Sequence, residues 1–448
     1  MDRVLHIVVR VEKGGSCLAK KWAFRAILAY ALLGLILYAY LFYIAGSGVP
    51  ESFKGSSADP STFMNAKEIL LSEDFSKIKN LLFFLSTPYE WLLYFLIMIL
   101  GVSRMFEKWA KGTVKNGFLQ TAIYLFWLSI TTFIAIFPFQ YISYQVSKAY
   151  NISTQTFSMW MKDETIDFWV NYLLMLIIVS VLYGLMKRFK QRWWLAAWAL
   201  SVPFTIFMMF IQPVLIDPLY NEFYPLKNKE LEAKILSLAD QAGIPANHVF
   251  EVDMSEKTNS LNAYVTGVGS NSRIVLWDTT LEQLTDDEIL FVMAHEMAHY
   301  VEKHIYIGIG IYLLLSFFGL FLASKLMRGI VANYGEEIKV DRVASLRSLP
   351  LFLLIISVLL FAVSPFSNWI SRYQETRADR YAIELTQDKE AAITSFQKLS
   401  KVGLSQVNPP LLVKIFRYGH PTMLERLNML EQYKMDTKEK EDPAESSP

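Results

Sequence analysis

Residues 285–324 read TDDEILFVMAHEMAHYVEKHIYIGIGIYLLLSFFGLFLAS, and the change of character halfway along decides the fold. The first half has a helix start written into it. Thr285 with Glu288 forms a capping box, and Asp286 and Asp287 suit a helix N-terminus. The second half, 305–324, holds no Asp, Glu, Lys or Arg. It exceeds the roughly 18 apolar residues that a membrane-crossing helix needs. A water-facing helix that runs straight into a span puts whatever it carries at the bilayer edge.

Working outward, the same charge-free character recurs at 26–46, 117–147, 168–186, 193–216 and 348–371. A seventh candidate, 81–103, is interrupted by Pro88 and Glu90. A carboxylate in hydrocarbon is costly, so Glu90 is expected to face protein or water, or to sit near a helix end. The first run is too long for a cleavable leader and is followed by further spans. Pro203 and Pro213 predict a kink in the fifth span.

The composition agrees. Of 448 residues, 53% are hydrophobic and only 19% charged, against roughly one quarter charged in a soluble chain. Net charge is +1, from 43 basic and 42 acidic residues, so no global field recruits nucleic acid. The one cysteine, Cys17, rules out an internal disulfide and a cysteine-based metal cluster.

The expected organisation is an N-terminal tail (1–21), a five-helix membrane region (22–216), a polar segment (217–304), spans six and seven (305–371), a second polar segment (372–434) and a disordered tail (435–448). Each polar segment is small for an independent core. The economical reading is one split domain, brought together by the helical pair between. The expected fold class is an all-α polytopic membrane protein of about seven helices, with a split α+β domain at the membrane edge.

The chemistry sits in His295-Glu296-Met297-Ala298-His299, an HExxH. On a helix the two imidazoles lie one turn apart on one face and can reach one tetrahedral Zn²⁺ at about 2.0–2.1 Å. Glu296 projects beside them, where it can act on water activated by the metal. A catalytic zinc takes three protein ligands. His304 is one residue short of the metzincin spacing, and that motif's glycine is absent, so a better third ligand is Glu375 in SRYQETRADRYAIEL. Asp379 lies one turn on, where a carboxylate can accept a proton from a ligand imidazole and fix its tautomer. The bland alternative is a solvated helix face with Arg377 and Arg380 as surface ion pairs. His248 is left as a packed or strand-surface histidine.

HEMAH followed far downstream by ETRAD resembles the ExxxD arrangement of the integral-membrane CAAX prenyl endopeptidases, seven-span zinc proteases of the gluzincin type, and so implies that the split α+β domain is a zincin-like catalytic domain. NSLNAYVTGVGSNSRIVLWDTTL (259–281) resembles that family's Asn-Ala-Tyr segment and following strand. GHPTMLERL (419–427) resembles its His-Pro and Glu-Arg element. The resemblance implies one Zn²⁺ per chain held by His295, His299 and Glu375. It implies Glu296 as general base and Asp379 as the partner of a ligand. Asn262 and Ala263 would lie along the substrate backbone. His420 and Arg426 would face the oxyanion or the substrate's carboxyl terminus. An extended peptide is expected to add to the edge of strand 273–277. The substrate would be a membrane-associated peptide or protein, lipidated or not, with the lipid bilayer as the other partner and no nucleic acid.

Basic residues concentrate in the N-terminal stretch (Arg3, Arg10, Lys13, Lys20, Lys21, Arg25) and in alternate connections, such as Lys187–Arg192 and Lys325–Arg347. The positive-inside rule then puts the N-terminus in the cytoplasm and the metal site outside a cell membrane. The family resemblance implies a cytosolic site. The alternatives are a broad-specificity quality-control zinc protease, an intramembrane protease and a non-catalytic transporter or scaffold. Acidic residues on both sides of HExxH speak against burial within a span. The intact motif pair speaks against the scaffold.

Overall fold

The structure is a computed structural model that describes residues 2–246, 248–266 and 273–435. The expected disordered tail lies outside the described residues from 436 onward, and the Cys17 side chain lies outside them too.

In chain order the helices of the membrane region are α1 (Asp2–Ala39), α2 (Ala66–Ile99), α3 (Val102–Thr113), α4 (Gly117–Ala149), α5 (Phe157–Phe189) and α6 (Trp193–Ile211). Then follow β1 (Phe223–Pro225), α7 (Lys229–Gln241), β2 (Val249–Val252), β3 (Ala263–Thr266), β4 (Arg273–Trp277), α8 (Asp278–Gln283) and α9 (Asp286–Val301). The chain ends with α10 (His304–Tyr334), α11 (Leu349–Thr386), α12 (Lys389–Val402), α13 (Leu411–Phe416) and α14 (Met423–Gln432). Seven helices are long and apolar enough to cross a membrane, and they coincide with the seven runs read from sequence, including the one broken by Pro88 and Glu90. The stretch expected as an N-terminal tail is helical and continuous with the first span.

Local chemistry sets the helix ends. Asn65 and Glu68 cap α2 reciprocally, Asn116 caps α4, and Thr156 caps α5. Gly101, at φ +81°, makes the tight turn from α2 to α3 that a Cβ would strain. The fifth span breaks where Pro213 removes a backbone donor: α6 ends at Ile211 and a π-helical turn, Gln212–Ile216, follows. The bundle packs around buried Tyr124, Tyr183, Trp193, Met327 and Leu349. Two pairs of buried hydroxyls join its helices, Tyr183 with Ser348 at 2.8 Å and Tyr124 with Ser103 at 2.7 Å. The outer faces are apolar and exposed, with Phe24, Leu28, Ile177, Phe207, Leu314 and Phe318 turned outward. Such a surface is stable against hydrocarbon and not against water.

A separate apolar core joins the two polar segments. Ile235, Ile274, Leu276, Phe291, Met293 and Met297 come from the first, and Ala382, Ile383, Phe396, Leu427 and Leu430 from the second. Neither segment buries these side chains alone, which is why the domain is split rather than duplicated. Its four-stranded sheet has the order β1-β2-β4-β3. β2 and β4 are parallel, and β3 pairs with β4 antiparallel, Ala263 opposite Leu276 and Thr266 opposite Arg273.

One expectation is corrected here. Strand 273–277 is β4, and it is paired on both sides, so it has no free edge to receive a peptide. The free edge beside the HExxH helix belongs to β3, which packs against α9.

Candidate active site

α9 begins as its sequence dictates. Thr285 donates its backbone N–H to Glu288 Oε2 at 2.7 Å and accepts the Glu288 N–H at its hydroxyl. Lys398 of α12 reaches the same Glu288 carboxylate at 2.7 Å and ties the helix start to the second polar segment. From that fixed start, His295 and His299 emerge toward α11. The continuous helix α11 carries Glu375 and Asp379 past its membrane portion to meet them.

The three expected ligands converge. His295 Nε2 lies 3.1 Å from Glu375 Oε2, His299 Nε2 lies 3.5 Å from Glu375 Oε1, and the two Nε2 atoms are 3.3 Å apart. Atoms bound at about 2.0–2.1 Å to one tetrahedral ion lie about 3.3 Å from each other. The donor set therefore fits a divalent ion with no rearrangement. Glu375 Oε2 is also buried and accepts no hydrogen bond. A buried acceptor left without a donor is costly and calls for a cation.

Each imidazole is braced from behind. His295 Nδ1 lies 2.8 Å from Asp379 Oδ1. Burial presses His295 toward the neutral form, but Asp379 and Glu375 outweigh it and raise its pKa to about 9. His299 goes the other way: burial and the neighbouring His295 lower it to about 4, so it is neutral and free to donate a lone pair. Its Nδ1 stands 2.9 Å from His304 Nδ1, and His304 Nε2 stands 3.0 Å from Glu302 Oε2. Arg377 closes this chain with two bonds to Glu302, of 2.6 and 2.9 Å. His304 was missed in the sequence because it fails as a ligand. Lys303 adopts a left-handed conformation, φ +58°, and folds His304 back behind His299 instead of toward the shared point. No spacing rule announces that role.

Glu296 sits beside the convergence point. Burial raises its carboxyl to about 7, with His295 pulling down and Glu375 pushing up. That is the range a general base needs at neutral pH.

Arg426 is found elsewhere than expected. Its Nε and Nη2 bind Asp379 at 2.8 and 2.5 Å, and its guanidinium stacks 3.9 Å from the Phe396 ring centre. It is buried behind His295, held by the Asp379 carboxylate, and does not open onto the substrate side. His420 does open onto it. Its side chain is 62% exposed, with Nε2 3.4 Å from Glu375 Oε2. Asn262 is exposed at the head of β3, its backbone N–H and C=O both fastened to the Thr280 hydroxyl at 2.8 Å. The side chain of Ala263 is buried in the core, so only its backbone faces the cleft. His248 is not part of the site; its ring lies near Phe250 on the sheet.

Comparison with known proteins agrees along nearly the whole chain. Residues 225–434 match peptidase family M48, and residues 43–222 match the CAAX prenyl protease N-terminal family of five membrane helices. The uncharacterized metalloprotease YhfN of Bacillus subtilis (strain 168) is 53% identical over 413 residues, 92% of this chain and 97% of that one. The CAAX prenyl protease 1 homolog of Arabidopsis thaliana is 30% identical over 322 residues, 71% of this chain and 74% of that protein. The crystal structure of S. mikatae Ste24p superposes with a TM-score of 0.73 at 24% identity, covering 91% of this chain and 97% of its own, and so shares the fold. The HExxH and ExxxD helices, the seven spans and these relatives together make the chain a member of peptidase family M48, a membrane-embedded metalloprotease of the CAAX prenyl protease type.

Proposed function

We propose that the protein is a zinc endopeptidase cleaving membrane-associated polypeptides, lipidated or not, at a site on the bilayer edge. The observation that carries this reading is the convergence of His295, His299 and Glu375 within one coordination sphere, with Glu296 beside it. Two imidazoles and a carboxylate are a zinc donor set, borderline in softness. When bound, the ion polarises the scissile carbonyl and acidifies the attacking water.

The chain's own groups do the rest. The β3 edge receives the substrate backbone in extended form from Ala263 onward, with exposed Asn262 at its head offering a side chain, so affinity comes from main-chain hydrogen bonds with little sequence demand. Glu296 takes the proton from water and returns it to the leaving amine. His420, on the open side, donates to the developing oxyanion. Asp379, held by Arg426, accepts the proton on His295 Nδ1 and so turns Nε2 toward the shared point, where a bound cation would take the place of the second proton.

The relatives named CAAX prenyl proteases support lipidated substrates. The basic loops instead support a cell-membrane orientation with the site outside, where prenylated cytosolic proteins do not occur. Membrane-impermeant labelling of a cysteine introduced at exposed Leu411, in intact cells and in lysed ones, decides the side. The peptidase reading is tested by Glu296→Gln: metal content stays at one per chain and peptide hydrolysis is lost. Retained turnover would sink it.

A further inference from the structure

A cavity of about 600 Å³ lies among α2, α4, α5 and the loop that follows α13. Three cations line it, Lys79, Lys257 and Arg417. Lys257 is neutralised by Asp163 at 2.8 Å. The other two are not. Lys79 donates to the Ser143 hydroxyl at 2.8 Å, and Arg417 bonds to the Asn80 side chain and lies 5.7 Å over the Phe83 ring. Among the described residues neither forms an ion pair, and Glu164, on the same wall, pairs with neither. Burial pushes the Arg417 pKa down from its ordinary value. Two neighbouring cations turned into one cavity repel each other and lose hydration. Such an arrangement is expensive unless an anion completes it.

The anion must be one that a peptidase meets. Arg417 stands three residues before His420 on one loop, so their Cα atoms are at most about 11 Å apart. His420 in turn is 3.4 Å from Glu375. A peptide extended from the cleavage point covers that distance in three or four residues. The far wall includes Ser153 and Thr258, which bridge to each other just upstream of β3, so the cavity borders the strand whose edge would hold the peptide.

We propose that Lys79 and Arg417 form a carboxylate-binding subsite for the peptide substrate, separate from the metal centre. This rests on the peptidase reading above. The carboxylate has two sources, the free carboxyl terminus or an Asp or Glu side chain. Arginine supplies a planar two-pronged donor and lysine a point charge, a pairing suited to a carboxylate.

The test uses the full-length protein in detergent with bound zinc and three quenched fluorescent peptides of one sequence. One ends in a free acid, one in an amide, and one in an amide with Asp placed near the end. For the unmodified protein the acid peptide is expected to have a KM about 10- to 100-fold below that of the amide peptide, the worth of one or two charge-assisted hydrogen bonds. In Lys79→Gln and Arg417→Gln that ratio collapses toward one, and Arg417→Lys restores part of it. Lys79 lies on α2 and bonds the Ser143 hydroxyl, so its variant tests the charge without changing a residue of the His420 loop. If the Asp peptide behaves as the acid does, a side chain can serve; if only the acid binds tightly, the terminus is the ligand. Equal KM for all three peptides in the unmodified protein overturns the subsite, whether or not the variants fold, and leaves peptidase activity standing. A variant that raises KM equally for all three peptides overturns it too.

Discussion

Replacing Asp379 by Asn separates metal support from fold support. Asp379 is 1% exposed and bears two loads, the bidentate grip of Arg426 and the contact with His295 Nδ1. An Asn side chain offers one acceptor where the carboxylate offered two, and no charge. Arg426, itself 7% exposed, is then a buried cation without a counter-charge, a change that destabilises by about 3–5 kcal/mol. Loss of the acceptor behind His295 lowers metal affinity about 10- to 100-fold. The two losses have separate cures. In Asp379→Asn/Arg426→Met the stranded charge is gone, and Met keeps a sulfur contact with Phe396. Stability is therefore expected to recover while metal affinity stays low. The assays are competition for zinc against a chromogenic chelator, and thermal unfolding of the metal-free protein in detergent. Zinc binding by Asp379→Asn as tight as in the unmodified protein would refute the bracing argument. A double variant no more stable than the single one would refute the stranded-charge argument.

His304→Phe removes the acceptor behind His299 and is expected to weaken zinc binding about tenfold, read by the same competition; an unchanged affinity argues against the His299–His304–Glu302–Arg377 chain. As the proposed general base, Glu296 works deprotonated, so the pH dependence of kcat/KM is expected to follow it. Its carboxyl is raised to about 7, so activity falls as pH drops through the midpoint set by that group, and an activity flat down to pH 5 contradicts the assignment. Glu288, whose pKa is lowered because Lys398 and the Thr285 N–H outweigh its burial, stabilises fully above the unfolded carboxylate value of about 4.3. That contribution is lost as pH falls through the lower folded value. Glu288→Gln should therefore cost about 1 kcal/mol near neutrality and match the unmodified protein at strongly acidic pH. A gap that stays constant with pH would speak against the ion pair.

What the sequence determined is what depends on composition and short spacing. A charge-free run of twenty residues must find hydrocarbon wherever it sits, so the spans were legible from 26–46 to 348–371. HExxH fixes two imidazoles on one helical face because the turn is 3.6 residues. The capping box at Thr285 was readable because both partners are three residues apart. Glu375 and Asp379 were readable as a carboxylate pair one turn apart, but only the resemblance set them above a solvated helix face, which their neighbours would suit equally well.

Tertiary structure decided everything that depends on which distant groups meet. Arg426 lies 47 residues beyond Asp379, and nothing local shows that its charge is spent on that carboxylate. Strand 273–277 has the apolar character of a paired strand, yet only the order β1-β2-β4-β3 shows that β3 holds the free edge. His304 acts through a single left-handed turn at Lys303. Lys79 and Arg417, 338 positions apart in the numbering of the chain, share a cavity because α2 and the α13–α14 loop pack together. The physical reason is the same in each case. Hydrophobicity and helix periodicity act over a few residues, whereas charge pairing, strand order and cavities arise only when segments far apart in the chain are brought into contact.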